Sequence, residues 1–501
     1  MPVDLTFEPL STAKAAVTVI IGRQHDLAGM FEGATAVGSM NAALWRTMVE
    51  KVKPGDAGKS TSTLLADGSR LVAAVLPEVC SRHCSPIRNY AISALVGPAA
   101  AEGVAEDGGA AIVCVLDDAT HAAGAACAVA RAFPLFSMKR SGGGGAARVS
   151  FVVAGAPALP EAAYLPCRAA AASVRLAARL VDTPPEQLTT TAFVGEARAV
   201  AARLQALGRD VTVDVIAGEA LRDKGYGGLW GVGKAAAEPP ALCVLSYVPA
   251  AAAKSVCLVG KGIVYDTGGL AIKSVAGMCG MKMDMGGAAA LMGAFEAAVA
   301  IGTETSLHCA LCLAENAVGP GAFRNDDVLT FFSGVTCEVN NTDAEGRLVL
   351  SDGVAHATTP GTLPGGRVPD LVVDMATLTG AQMVATGKHH AGIFTNDEAT
   401  ELAAVAAGKR TGDLVHPLPY APEFHRAQFQ SKVADFKNSV AARNDAQASC
   451  AGNFIGESLH KDYAGAWLHV DIAGPAFKDD RATGFGVALV LGLLEVDGFR
   501  A

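Results

Sequence analysis

Val259-Gly-Lys-Gly-Ile-Val-Tyr-Asp-Thr-Gly-Gly-Leu-Ala-Ile-Lys273, followed by Met281-Lys-Met-Asp-Met-Gly-Gly287, joins a strand to a helix through a run of charged residues and glycines. The apolar stretch Ser255–Val259 leads straight into Lys261 and Asp266, and an alanine-rich helix, Gly286–Ile301, opens just after Asp284. Gly260, Gly262, Gly268 and Gly269 allow sharp backbone turns. Lys261, Asp266 and Lys273 are therefore expected on loops at a strand end.

The pattern continues on both sides. Further strands are predicted at Val211–Ile216, Leu242–Val248, Ser306–Leu313, Asp370–Met375 and Trp467–Ile472, with helices at Glu345–Ala357 and Glu398–Lys409. Strands alternating with helices predict an α/β fold, a mixed sheet flanked by helices. In such folds ligand sites collect at the carboxyl ends of strands. A smaller α/β domain precedes it, with strands at Val3–Phe7, Ala16–Ile21, Ala111–Leu116 and Arg148–Val153 and an internal glycine loop, Ser141–Gly145. An alanine-rich helix, about Glu161 to Leu180, runs to Asp182-Thr-Pro-Pro185, where proline stops it. The expected division is an N-terminal domain over 1–160 that serves assembly or regulation, a connector over 161–185, and a C-terminal domain over 186–501.

The length, 501 residues, is too great for one ordinary core, and 51% apolar with 18% charged residues excludes a disordered chain. A net charge of −9 argues against a protein built to bind nucleic acid or an anionic membrane. Mean hydropathy is +0.32, much of it from alanine. Every long apolar run is broken by charge, glycine or proline, so no spanning helix is predicted. The amino terminus alternates as a strand does and lacks the pattern of a signal peptide. Twelve scattered cysteines fit reduced thiols and a cytoplasmic location. Cys309 and Cys312 lie three apart on a predicted strand and so face opposite sides. Cys80, His83 and Cys84 have no second ligand pair nearby. Both groups read as structural.

The second concentration of unusual residues is Asn340-Asn-Thr-Asp-Ala-Glu-Gly-Arg347, between a strand-like Val335–Val339 and a helix. Asp343 and Glu345, with Asp266 and Asp284, place four carboxylates on strand-end segments of one sheet. Crowded carboxylates repel unless cations neutralise them. Oxygen ligands with Lys and Arg close by point to divalent metal ions, and a pair of metals suits hydrolysis. Taken singly, each residue also has a plain structural reading. Asp343 would cap the next helix and Lys273 would be a solvated surface lysine.

Together these segments resemble the leucyl aminopeptidase family of two-metal exopeptidases. Asn341-Thr-Asp-Ala-Glu-Gly-Arg-Leu348 resembles that family's signature at every position, and the spacing of Lys261, Asp266, Lys273 and Asp284 is similar to its metal-binding segment. Asp182-Thr-Pro-Pro185, Gly228-Leu-Trp-Gly-Val-Gly233, Ala376-Thr-Leu-Thr-Gly380 and His469-Val-Asp-Ile-Ala-Gly474 extend the likeness over roughly residues 165–495.

The resemblance implies a metal-dependent aminopeptidase that removes the N-terminal residue, with a leucine-like preference, from short peptides. It implies two divalent ions per subunit, zinc or manganese, with magnesium or cobalt as further candidates. Asp266 and Glu345 would bridge them, Lys261 and Asp284 would complete one site, and Asp343 the other. Lys261 would have to be neutral, with a pKa lowered by neighbouring cations and burial. Lys273 would stabilise the oxyanion, and Arg347 would hold a bicarbonate that stands in for a general base. Met281, Thr377 and Gly380 would line the pocket for the first side chain. The family also implies a homohexamer, a dimer of trimers. Ala271 stands where a serine is expected, and Leu363-Pro-Gly-Gly-Arg-Val-Pro369 reads as a loop extension.

Other readings compete with this one. Gly228–Ala235 approaches the phosphate-loop pattern, but Ala235 lacks the hydroxyl for Mg²⁺ and the preceding segment, Gly218–Lys224, reads as helix. His389-His390 diverge and have no acidic neighbour. The rival from another class is a non-catalytic scaffold or nucleic-acid-binding relative that keeps the fold.

Overall fold

The computed structural model describes residues 2–11, 13–30, 42–140, 144–156 and 158–500. The backbone forms two compact units. One comprises Met1–Leu176 with Ala406–Leu414 and Leu491–Ala501; the other comprises Ala177–Val405 and Val415–Val490.

The first unit holds a six-stranded sheet of β1 (Val3–Phe7), β2 (Val17–Arg23), β3 (Lys59–Leu64), β4 (Arg70–Leu76), β5 (Ala110–Leu116) and β6 (Gly145–Val153). Its order is β1-β6-β5-β2-β4-β3, parallel throughout except for the β3–β4 pair. The inner strands are near-continuous apolar runs, as strands covered on both faces must be. Ile20, Leu27, Trp45, Leu71 and Val113 make its core. Ser141–Gly143 of the expected glycine loop lie outside the described residues, and Gly145 already belongs to β6. Two late segments return to this unit. Asp413 pairs with Arg131 at 2.5 Å, and Arg410 donates to the Phe499 carbonyl at 2.9 Å. Neither return could be read from local pattern.

A helix, Tyr164–Asp182, spans the point of division and ends just before Pro184. The second unit then builds an eight-stranded sheet from β7 (Val211–Ala217), β8 (Ala241–Tyr247), β9 (Ser255–Asp266) and β10 (Ser306–Asn316). A small sheet of β11 (Val328–Thr330) and β12 (Thr336–Glu338) follows, and the main sheet continues with β13 (Leu371–Ala376), β14 (Ala391–Thr395) and β15 (Val415–Pro417). β16 (Phe436–Lys437) joins the small sheet, and β17 (Ala466–Asp471) joins the main one. The main order is β15-β14-β17-β13-β9-β10-β8-β7. The central strands β10, β9, β13 and β17 are parallel, and β7, β8 and β14 join antiparallel, so the sheet is mixed as expected.

The helical stretch Val275–Ile301 is long and apolar enough by length and composition to cross a membrane, although no spanning helix was expected; 89% of its apolar window is buried within the protein, as in a core helix.

One expectation about β9 fails. The strand does not stop at Val259 but runs to Asp266, so Lys261 and Asp266 stand in the strand and only Lys273 lies on the loop. Gly260 and Gly262 make no turn. A Cβ at Gly260 would lie 2.5 Å from the Ala288 Cα, and one at Gly262 would lie 2.6 Å from the Leu313 side chain. These glycines let a helix and the neighbouring strand close on β9. The turn comes later, at Gly268 and Gly269, whose φ values are 84° and 61°.

Candidate active site

The carboxyl ends of β9, β10 and β13 meet at one place. Asp266 ends β9, and its Oδ1 accepts from the Gly268 amide at 2.9 Å and from Asn316 Nδ2, at the end of β10, at 2.8 Å. Asn316 also donates to the Thr342 carbonyl at 3.0 Å. The Thr342 hydroxyl donates to the Gly268 carbonyl and accepts from the Ala271 amide, each at 2.7 Å. The turn after β9 is thus tied to the Asn341–Arg347 loop. Asn438, fully buried, holds that loop from the other side by donating to the carbonyls of Asn341 at 2.6 Å and Ala344 at 3.2 Å.

These ties aim the charged side chains inward. Lys261 Nζ lies 2.7 Å from Asp284 Oδ1, 3.0 Å from Glu345 Oε1 and 3.1 Å from the Thr377 carbonyl. Lys273 Nζ lies 2.7 Å from Asp266 Oδ2 and 2.5 Å from Asp343 Oδ1. The Thr377 hydroxyl donates to Asp284 Oδ1 at 2.8 Å. Gly346 leaves room for this lysine, since a Cβ there would lie 2.5 Å from Lys261 Cε. The plain readings of Asp343 and Lys273 both fail. The residue capping the helix Gly346–Thr358 is Glu345, which makes no side-chain capping bond. Lys273 is paired with two carboxylates.

One oxygen each of Asp266, Asp343 and Glu345 can lie within 4.8 Å of the others. Asp284 Oδ2 is buried without a hydrogen-bond partner. Burial pushes Asp284 up to about 6 and, reinforced by Asp266, pushes Glu345 up to about 8. Asp343 is also raised, chiefly by burial. Burial opposes the charge on Lys261, but Asp284, Glu345 and Asp266 outweigh it and raise its pKa. The lowered value expected of a metal-binding lysine is thus the reverse of what these neighbours impose, and reversing it requires a competing cation. Lys273 is raised in the same way, with Asp266 outweighing its burial. Arg347 is lowered to about 10 by burial; its Nε and Nη1 have no hydrogen-bond partner, and its guanidinium lies 5.9 Å over the Phe454 ring.

Buried carboxylates driven toward neutrality, converging on a common point with an orphaned oxygen beside them, are a donor set suited to divalent cations. A cavity of about 290 Å³ opens over them. Its lining includes all ten residues singled out in the sequence: Lys261, Asp266, Lys273, Met281, Asp284, Asp343, Glu345, Arg347, Thr377 and Gly380. Asn316, Thr342 and Asn438 were missed. Asn316, a polar residue closing a long apolar strand, was the one legible signal among them. His389 and His390 belong to no cluster of possible metal ligands among the described residues, and Cys309 and Cys312 are buried free thiols.

Fold and site together define a metal-dependent hydrolase with its centre at the carboxyl edge of a mixed sheet. Comparison with known proteins narrows the class. Residues 175–491 match the cytosol aminopeptidase family, catalytic domain, and residues 17–142 match the M17 aminopeptidase N-terminal domain 2. A human protein described as a probable aminopeptidase, NPEPL1, is 46% identical over 460 residues, covering 90% of this chain and 83% of that one. Leucine aminopeptidase 1 of Caenorhabditis elegans is 45% identical over 368 residues, 73% of this chain and 72% of that one. The solved structure of leucyl aminopeptidase from Trypanosoma brucei with bestatin superposes with a TM-score of 0.89 at 38% identity, covering 99% of this chain and 96% of that one. The chain belongs to the cytosol aminopeptidase family, M17, and is a metal-dependent aminopeptidase.

Proposed function

We propose that the chain removes the N-terminal residue from short peptides in the cytoplasm, with a leucine-like preference, using two divalent ions. The observation that carries this reading is the convergence of Asp266, Asp343 and Glu345 on one point. Asp266 and Glu345 would be shared between the ions, Lys261 and Asp284 would complete one set, and Asp343 the other. The ions are zinc or manganese, with magnesium or cobalt as further candidates. Bound there, they would supply an activated water and polarise the scissile carbonyl.

The remaining roles fall to the chain's own groups. Lys273, kept charged by Asp266 and Asp343, would stabilise the oxyanion. Arg347 carries two unpaired buried donors, which suits a small planar anion such as bicarbonate. That anion fits the lack of any free carboxylate or histidine in the two motifs to act as base. Met281, Thr377 and Gly380 line the cavity with Leu378 and Met383, and would receive the first side chain. The N-terminal domain, built on 1–160 and joined by the late segments Ala406–Leu414 and Leu491–Ala501, would serve assembly or regulation in a homohexamer of two trimers, with 161–185 leading to the catalytic domain.

The test is release of a fluorophore from a leucyl amide, with metal content per chain measured alongside. Turnover with Zn²⁺, Mn²⁺ or Co²⁺ at mildly alkaline pH is expected. Metal-loaded protein that turns over no aminoacyl amide would leave the non-catalytic scaffold standing.

A further inference from the structure

Arg443 stands apart from the other cations of the cavity. Lys261 and Lys273 are committed to carboxylates, and Arg347 is buried. Arg443 also lines the cavity, yet it is exposed and has no ion-pair partner among the described residues. Its loop is firmly placed. On one side Asn438 accepts from the Asn340 amide at 2.8 Å, and the Ser439 amide donates to Asn340 Oδ1 at 2.8 Å. Gln428 brackets Arg443, accepting from the Ala442 amide just before it at 3.0 Å and donating to Asp445 Oδ2 just after it at 2.8 Å. Asp445, the nearest acid in sequence, is therefore occupied with Gln428. Ala446, at φ 41°, then turns the chain into the helix Gln447–Gly456. The Arg443 loop is thus bound directly to the Asn340–Glu345 loop that carries two of the converging carboxylates.

A dipeptide whose amino group sits at those carboxylates places its terminal carboxylate one residue farther out, about 7 Å along an extended chain. The cavity lining carries four acids, Asp266, Asp284, Asp343 and Glu345, against four cations, and of these cations Arg443 alone is both exposed and without an ion pair among the described residues, so it is the one open to an arriving carboxylate. Arginine offers a two-pronged match to a carboxylate.

We infer that Arg443 binds the terminal carboxylate of the substrate and biases the enzyme toward dipeptides with a free C-terminus. This inference rests on the aminopeptidase reading and deepens it. Because Arg443 is exposed, the expected gain is modest, about three- to tenfold in affinity.

The test uses the metal-loaded full-length chain and leucyl-glycine with its peptide bond reduced to CH2–NH, which cannot be hydrolysed. Calorimetry compares the free acid with the C-terminal amide, for wild type, Arg443→Ala and Arg443→Lys. The readout is the ratio of the two affinities, which a general loss of metal or fold does not shift. Wild type should favour the acid about three- to tenfold, Arg443→Ala should abolish the preference, and Arg443→Lys should keep part of it. If wild type binds acid and amide equally while still cleaving a leucyl amide, Arg443 has no such role and the aminopeptidase reading stands. Retention of the wild-type ratio by Arg443→Ala would likewise remove Arg443 from substrate binding and leave that reading intact. Wild type that binds neither compound and cleaves no leucyl amide would overturn both.

Discussion

Both units end parallel strands in charged residues, yet the two ends behave in opposite ways. In the first unit Arg23, closing β2, pairs with Asp26 at 2.9 Å and with Asp117, just past β5, at 3.4 Å, and His121 reaches Asp117 at 2.8 Å. The cavity there is only about 20 Å³. His121, as hydrogen-bond partner and charge, holds Asp117 down to about 2. In the second unit burial and neighbouring acids push Glu345 up to about 8. One carboxylate is stabilised by the groups the fold sets around it. The other is destabilised by them and requires a group from outside. A charged cluster at a strand end is therefore not a site in itself; the sign of its internal balance separates a satisfied network from a place for a cation.

The largest test of this contrast removes the shared acid. Asp266→Ala should empty the site of metal and lower turnover of a leucyl amide by roughly a thousandfold or more, the scale of losing the hydrolytic metals. Elemental analysis of the purified variant checks the first outcome and initial rates the second. A variant that retained two metals per chain would break the bridging assignment. Next in size is Lys273→Ala. Loss of one oxyanion donor should lower kcat by roughly 10²–10³ while metal content holds. If metal falls in step with activity, Lys273 belongs with the ligands.

The contrast also shows what the sequence discloses. All charged residues of the catalytic cavity but Arg443 were legible because they cluster in two short segments, Lys261–Asp284 and Asp343–Arg347, and chemistry restricts what such clusters do. Their supports were not. Asn316 and Asn438 act on loops 26 and 97 residues away in sequence, and apart from the polar end of a long apolar strand at Asn316 nothing local marks them as supports. The extent of β9 was misread for a physical reason: glycine serves turns and close packing alike, and only the neighbouring helix and strand reveal which use applies at Gly260 and Gly262. Most strands of the two large sheets were visible, since buried parallel strands write themselves as apolar runs, but β3, β4, β14 and β15 were not predicted. The late return of Ala406–Leu414 and Leu491–Ala501 to the first unit depends on contacts such as Arg131–Asp413, which couple residues 282 apart.

The smallest expected effect lies in the first unit and sharpens the contrast most. Asp117→Asn should leave turnover of a leucyl amide unchanged, since its ion pairs serve the fold of that unit alone. It should cost stability, but less than about 1 kcal/mol, because the partly exposed pairs are screened by water. The sign of its pH dependence is fixed. A carboxyl whose folded pKa is depressed from 3.8 to about 2 contributes stability above 3.8 and loses it as pH falls toward 2. The difference in urea midpoint between wild type and Asp117→Asn should therefore be full at about pH 6 and shrink as pH drops below about 4. A difference that grows with acid would mean that Asp117, like Glu345, is a strained carboxylate, and the two strand ends would no longer be opposites.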